Sequence, residues 1–150
     1  IGILGTSVGG IFSSVAVSLY YRIDACFIIT AGAPISSVIA HSDQAVLVQT
    51  KESRFATFNF KNLEEYIYAL DEKIFLDPLK LPKPKAHQVL GMVISNKDKT
   101  VPTRYQNELK NFWNPNVVYE FSSNHMISII KTWLFHRHNI VSFFQKAAKK

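Results

Sequence analysis

The sequence predicts an α/β fold, a mostly parallel sheet with helices on both faces, and three observations lead there. Four short runs of branched and apolar residues, at 1–4, 25–30, 89–95 and 117–121, alternate with stretches of helical periodicity. Strands alternating with helices imply right-handed crossovers between parallel neighbours. Cys26-Phe27-Ile28-Ile29 and Val93-Ile94 are uninterrupted apolar stretches, as expected of strands buried on both sides. Finally, 150 residues with 47% hydrophobic and 19% charged content make one ordinary folded domain, long enough for a real core.

Each element has its own signal. After the first run, small and apolar residues recur at helical spacing over 8–21, and the helix ends near Arg22-Ile23-Asp24. The second strand, 25–30, closes at Ala31-Gly32-Ala33-Pro34. The interval from 35 to 86 is different. Weaker helical patterns cover 35–40, 51–58 and 63–74, the last with a stripe of Tyr66, Ile67, Leu70 and Ile74. Asp77-Pro78 and Leu81-Pro82-Lys83-Pro84 then read as an extended connector into the third strand, 89–95. Val101-Pro102-Thr103 opens a helix over 103–112, the fourth strand follows at 117–121, and a final helix spans 126–148. No internal repeat or low-complexity segment is visible.

Composition narrows the function classes. The formal net charge is +6, but the lysines are scattered apart from Lys146, Lys149 and Lys150, which read as a solvated helix end. A nucleic-acid surface would need a basic stripe with interleaved aromatics, so no nucleic-acid partner is expected. Cys26 is the single cysteine, which rules out an intrachain disulfide, and its apolar strand makes it a small buried side chain. The longest apolar stretch is interrupted by Arg22 and Asp24, so no transmembrane span is expected. His136 and His138 lie two apart in a helix and face different directions, and His41 and His87 are isolated. No metal and no cofactor are therefore expected. The compartment is left open.

The chemistry centres on Gly5-Thr6-Ser7-Val8-Gly9-Gly10, where strand, Gly-x-Ser-x-Gly and helix follow one another. The chain must reverse within a residue or two. That forces the serine into a left-handed type of backbone conformation and lifts its hydroxyl clear at the strand's carboxyl end. Gly5 and Gly9 stand where side chains are expected to collide with the neighbouring strand or helix. The alternative reading is a glycine-rich turn without chemistry. At these residues the chain resembles the C-terminal half of the α/β-hydrolase family of serine hydrolases, from the nucleophile elbow onward.

The resemblance implies the rest of the site. The loop Ser95-Asn96-Lys97-Asp98-Lys99-Thr100-Val101-Pro102 is similar to the family's acid loop, in which an aspartate precedes Val-Pro, so Asp98 is the expected acid. Asp43, after the second strand, is too far along the chain to be preferred. His125, between the fourth strand and the final helix, stands where the family keeps its base. The order Ser7, Asp98, His125 matches the family's chain order. Ser7 would attack an ester or related acyl carbonyl, with the backbone N–H of Val8 as one oxyanion donor. The 35–86 interval corresponds to the place of a lid, and a small cap is expected; simple packing on the sheet is the alternative. The family's complete fold has about eight strands, so the resemblance implies a partial domain, 1–150, with the N-terminal strands and the second oxyanion donor expected outside it. An N-terminal segment or another chain is expected to cover the open edge of the first strand. A small-molecule ester or acyl substrate is the leading expectation. A peptidase of the same fold and a catalytically silent binding module remain open.

Overall fold

The structure, a computed structural model, describes residues 1–149; Lys150, the last of the C-terminal lysines, lies outside them. The elements run β1 (Gly2–Thr6), α1 (Val8–Leu19), β2 (Ala25–Ile29), α2 (Ile35–His41), α3 (Ala45–Phe58), α4 (Leu63–Asp71), β3 (Val89–Ser95), α5 (Thr103–Trp113), β4 (Val117–Phe121), α6 (His125–Lys131), a π-helical segment (Thr132–His136) and α7 (Arg137–Ala147).

The strands form one four-stranded sheet in the order β1-β2-β3-β4, and every pairing is parallel. All five residues of β2 are buried, and six of the seven in β3, which is why these two read as unbroken apolar runs. On one face Cys26, Ile28, Leu90, Met92 and Ile94 pack against Val17 of α1 and Leu109 and Trp113 of α5. On the other, Phe27, Ile29 and Val93 pack against Ile140 and Phe143 of α7, with Phe27 and Phe143 edge to face at 5.3 Å. The helices therefore cover both faces, as the sequence predicts. Cys26 is fully buried, and burial pushes its thiol well above the usual range.

Two elements depart from the sequence reading. Helix α3 begins at Ala45 rather than near 51 and buries none of its residues, so no apolar stripe marks its start. The final helix is broken by the π-helical turn at Thr132–His136. His136, at the end of that turn, stacks its ring on Tyr119 of β4, with centroids 4.1 Å apart. Helices α2, α3 and α4 make the small cap. Within it, Asp71 of α4 accepts from Ser36 of α2 at 3.1 Å and pairs with Lys80 at 2.8 Å, while Val38 of α2 packs on Val101 and Tyr105. No helix among the described residues is long and apolar enough to cross a membrane.

Candidate active site

Three strand ends on the same edge of the sheet build the site. β1 runs into Ser7, which holds φ 54° and ψ −122° and begins α1 directly after it. Its backbone N–H donates to Ile29 O at 2.8 Å, tying the turn to the end of β2. A non-glycine residue at positive φ costs about 1–3 kcal/mol unless its surroundings enforce it. Here they do: the carbonyl of Ser7 accepts from Gly10 and Ile11 N–H at 2.9 and 3.1 Å, closing the first turn of α1. Thr30, at the end of β2, is likewise at positive φ (51°) and fully buried, with its hydroxyl unpartnered. Two neighbouring strands thus end in forced backbone.

The two glycines differ. A Cβ on Gly5 would lie 2.2 Å from Gly9 O and 2.3 Å from Ser13 Oγ, so only glycine lets β1 and α1 approach this closely. Gly9 corrects the sequence reading: a Cβ there meets nothing within 4 Å. The crowded position on the helix is Gly10, whose added Cβ would stand 2.7 Å from Ala31 Cβ. Helix α1 turns Gly9 outward and Gly10 inward onto β2, which the spacing around Ser7 does not reveal.

Asp98 follows β3 and is buried. Its Oδ1 accepts from the backbone N–H of Thr100 and Val101, each at 2.9 Å. Its Oδ2 accepts from Gln106 Nε2 at 2.9 Å and faces His125 Nδ1 at 2.6 Å. With the carboxylate accepting on that side, the network assigns the proton to Nδ1 of the imidazole. Nε2 is then free to accept, and it lies 2.9 Å from Ser7 Oγ. His125 opens α6 instead of preceding it, and Asn124 caps the helix by accepting from Ile127 N–H at 3.0 Å. Strands β1 and β4 are separated by two others, about 14 Å at ordinary strand spacing.

The shell beneath was not visible in the sequence. Gln106 is fully buried; its Oε1 accepts from Ser95 N–H at 3.0 Å while Nε2 also donates to Val101 O at 2.7 Å. It shares a stripe of α5 with Leu109 and Trp113, and a polar residue on an apolar stripe was the signal to notice. Ser95, Ser123 and Ser128 form a buried hydroxyl cluster, with Ser128 Oγ 2.8 Å from the hydroxyls of both Ser95 and Ser123. It joins the ends of β3 and β4 to α6. Asp43, passed over for its distance along the chain, folds back onto the acid loop, but its carboxylate accepts from Thr100 Oγ1 at 2.9 Å and not from His125.

The N–H of Val8, at the start of α1, has no acceptor among the described residues and stands where the helix dipole favours negative charge. His125 also lines a cleft of about 410 Å³ with Lys97, Lys99, Asn124 and Met126. No three His, Cys, Asp or Glu side chains converge as a metal site among the described residues.

Neither a protein-family model nor a curated protein matches the chain in sequence. Solved structures match it in fold. An acetyl xylan esterase from Paenibacillus sp. R4 superposes with a TM-score of 0.74 over 97% of this chain, at 17% identity. The fold is that of the α/β hydrolases. An acylaminoacyl peptidase from Pyrococcus horikoshii (TM-score 0.60, 19% identity, 86% of this chain) and an esterase from Pyrococcus furiosus (0.57, 14%, 97%) share the α/β-hydrolase architecture. The chain spans 45%, 20% and 53% of those three proteins. The likeness thus covers about half or less of each of those chains.

Proposed function

We propose that this chain carries the nucleophile, base and acid of a serine hydrolase that cleaves an ester or related acyl bond through an acyl-enzyme. The observation that carries the reading is the unbroken hydrogen-bonded series from Ser7 Oγ to His125 Nε2, at 2.9 Å, and from His125 Nδ1 to Asp98 Oδ2, at 2.6 Å. A serine hydroxyl is a weak nucleophile until a base takes its proton, and that base needs an orienting acid. In this reading Ser7 sits on a nucleophile elbow and attacks the carbonyl carbon. His125 Nε2 accepts the hydroxyl proton and then hands it to the leaving group. Asp98 keeps the proton on Nδ1 and stabilises the imidazolium that forms. Water, deprotonated by the same imidazole, releases the acyl group and restores Ser7.

The N–H of Val8 supplies one donor to the developing oxyanion, and loss of a single such donor costs about a hundred- to a thousand-fold in turnover. A second donor and much of the substrate pocket are assigned to structure beyond these elements. The outer edge of β1 has no strand partner among the described residues, which supports its being covered by a further segment or chain. A carboxylesterase or lipase-like substrate is the leading proposal. The likeness to an acylaminoacyl peptidase keeps a peptidase as the second reading.

The test is fluorophosphonate labelling of the full-length protein read by intact mass. A single adduct, absent from Ser7→Ala, is expected. A folded protein that never labels would favour the silent binding module. Nitrophenyl esters against peptide anilides then separate esterase from peptidase.

A further inference from the structure

The cap holds a second cavity, of about 580 Å³, that none of Ser7, Asp98 and His125 lines. Its apolar surface comes from Ile39 of α2, Phe58 of α3, Phe60, Leu70 of α4 and Ile74. Arg54 and Lys73 also line it, and neither has an ion-pair partner among the described residues. The adjoining helix is under-packed. Across fourteen residues α3 buries none, and Phe58, which faces the cavity, is 66% exposed. Tyr66 forms another wall; its ring clusters with Phe55 and Phe60 at 5.6 and 5.5 Å, and its buried hydroxyl has no partner.

An apolar surface of this size bordered by two unpaired cations matches one ligand chemistry. A purely apolar ligand would leave the cations unused, and a small anion would leave the aromatic and aliphatic wall wet. We propose that this cavity binds a single-chain amphipathic carboxylate, its aliphatic tail against Ile39, Phe58, Leu70 and Ile74 and its head group at Arg54 and Lys73. The volume falls within the usual range for small-molecule sites. The proposal stands apart from the hydrolase reading, since no residue is shared.

The probe is decanoate below its micelle-forming concentration, titrated calorimetrically into the full-length protein, with hexanoate, octanoate, decanol and acetate alongside. One saturable site is expected, with affinity rising about three- to fourfold per methylene from hexanoate to decanoate. The pair Arg54→Gln and Lys73→Gln should weaken decanoate about tenfold or more while leaving decanol unchanged. Ala69→Phe, which fills the cavity from α4, should remove binding of both. Thermal unfolding establishes that each variant is folded. Equal affinity for decanol and decanoate would overturn the head-group assignment. Absence of saturable binding, or undiminished binding by Ala69→Phe, would overturn the site. Binding only to phosphatidylcholine vesicles doped with decanoate would overturn it in favour of a membrane-facing surface.

Discussion

Replacing Gln106 by alanine tests whether the acid loop is held by one buried amide. The side chain makes three hydrogen bonds: Ser95 N–H to Oε1 at 3.0 Å, and Nε2 to Val101 O at 2.7 Å and to Asp98 Oδ2 at 2.9 Å. A buried polar group left without its partner costs about 1–3 kcal/mol. Asp98 keeps three other bonds, so most of the loss falls on Ser95 and Val101. About 4 kcal/mol is the expected destabilisation, or roughly 12 °C in Tm for a domain of this size. Urea unfolding followed by circular dichroism gives the first figure, and a thermal scan the second.

Gln106→Glu sharpens the test because it keeps the shape but removes the donor. Ionised, the new carboxylate faces Asp98 across a hydrogen-bond distance, and its folded pKa must rise above the unfolded value. This variant should therefore be no more stable than Gln106→Ala at neutral pH. It should regain stability as pH falls through the raised pKa toward about 4, the unfolded range of glutamate. A Gln106→Ala loss below about 1 kcal/mol, together with a flat pH response in Gln106→Glu, would refute the reasoning.

Other outcomes follow from the same geometry. Gly5→Ala drives a methyl into Gly9 O, at 2.2 Å, and should prevent stable folding. Gly9→Ala meets nothing within 4 Å and should stabilise by about 0.5–1 kcal/mol through helix propensity; paired denaturation curves compare the two. Asp98→Asn keeps the loop but disturbs the tautomer of His125, and the rate of phosphonate labelling should fall by about 10⁴ with the circular dichroism unchanged. A hydrogen bond from Lys80 holds the Asp71 carboxyl below its ordinary 3.8. Its stabilising contribution is therefore present above that pH and lost as pH falls through the folded value. Both partners are slightly more than a third exposed, so Asp71→Asn should flatten only about 0.5 kcal/mol of the acid-side stability profile.

Strands β3 and β4 were legible to the residue, because branched apolar runs bounded by polar turns leave little choice of boundary. The fold class followed from their alternation with helices. Ser7, Asp98 and His125 were legible as candidates because each lies just past the carboxyl end of its own strand. What escaped had no local pattern. The start of α3 carries no buried residue, so no periodicity marks it. The π-helical turn ends at His136, which stacks on Tyr119 of the preceding strand, a contact that no local pattern announces. The outward direction of Gly9 and the inward one of Gly10 are set by the angle at which α1 leaves Ser7. Asp43 was judged by separation along the chain, whereas α2 returns it to the acid loop.

The parallel alignment of the four strands also acts as a ruler. Gly5 stands opposite Ile28, Ile28 opposite Met92, and Met92 opposite Val118. A slip of one position at any of these seams moves a strand end by about 3.3 Å and turns its side chains to the other face. That displacement exceeds either link through the imidazole, 2.6 and 2.9 Å. If Ser7 is the nucleophile proposed above, a misaligned sheet cannot retain a partly assembled site, and a covalent probe of Ser7 would count the correctly aligned molecules in a refolding mixture.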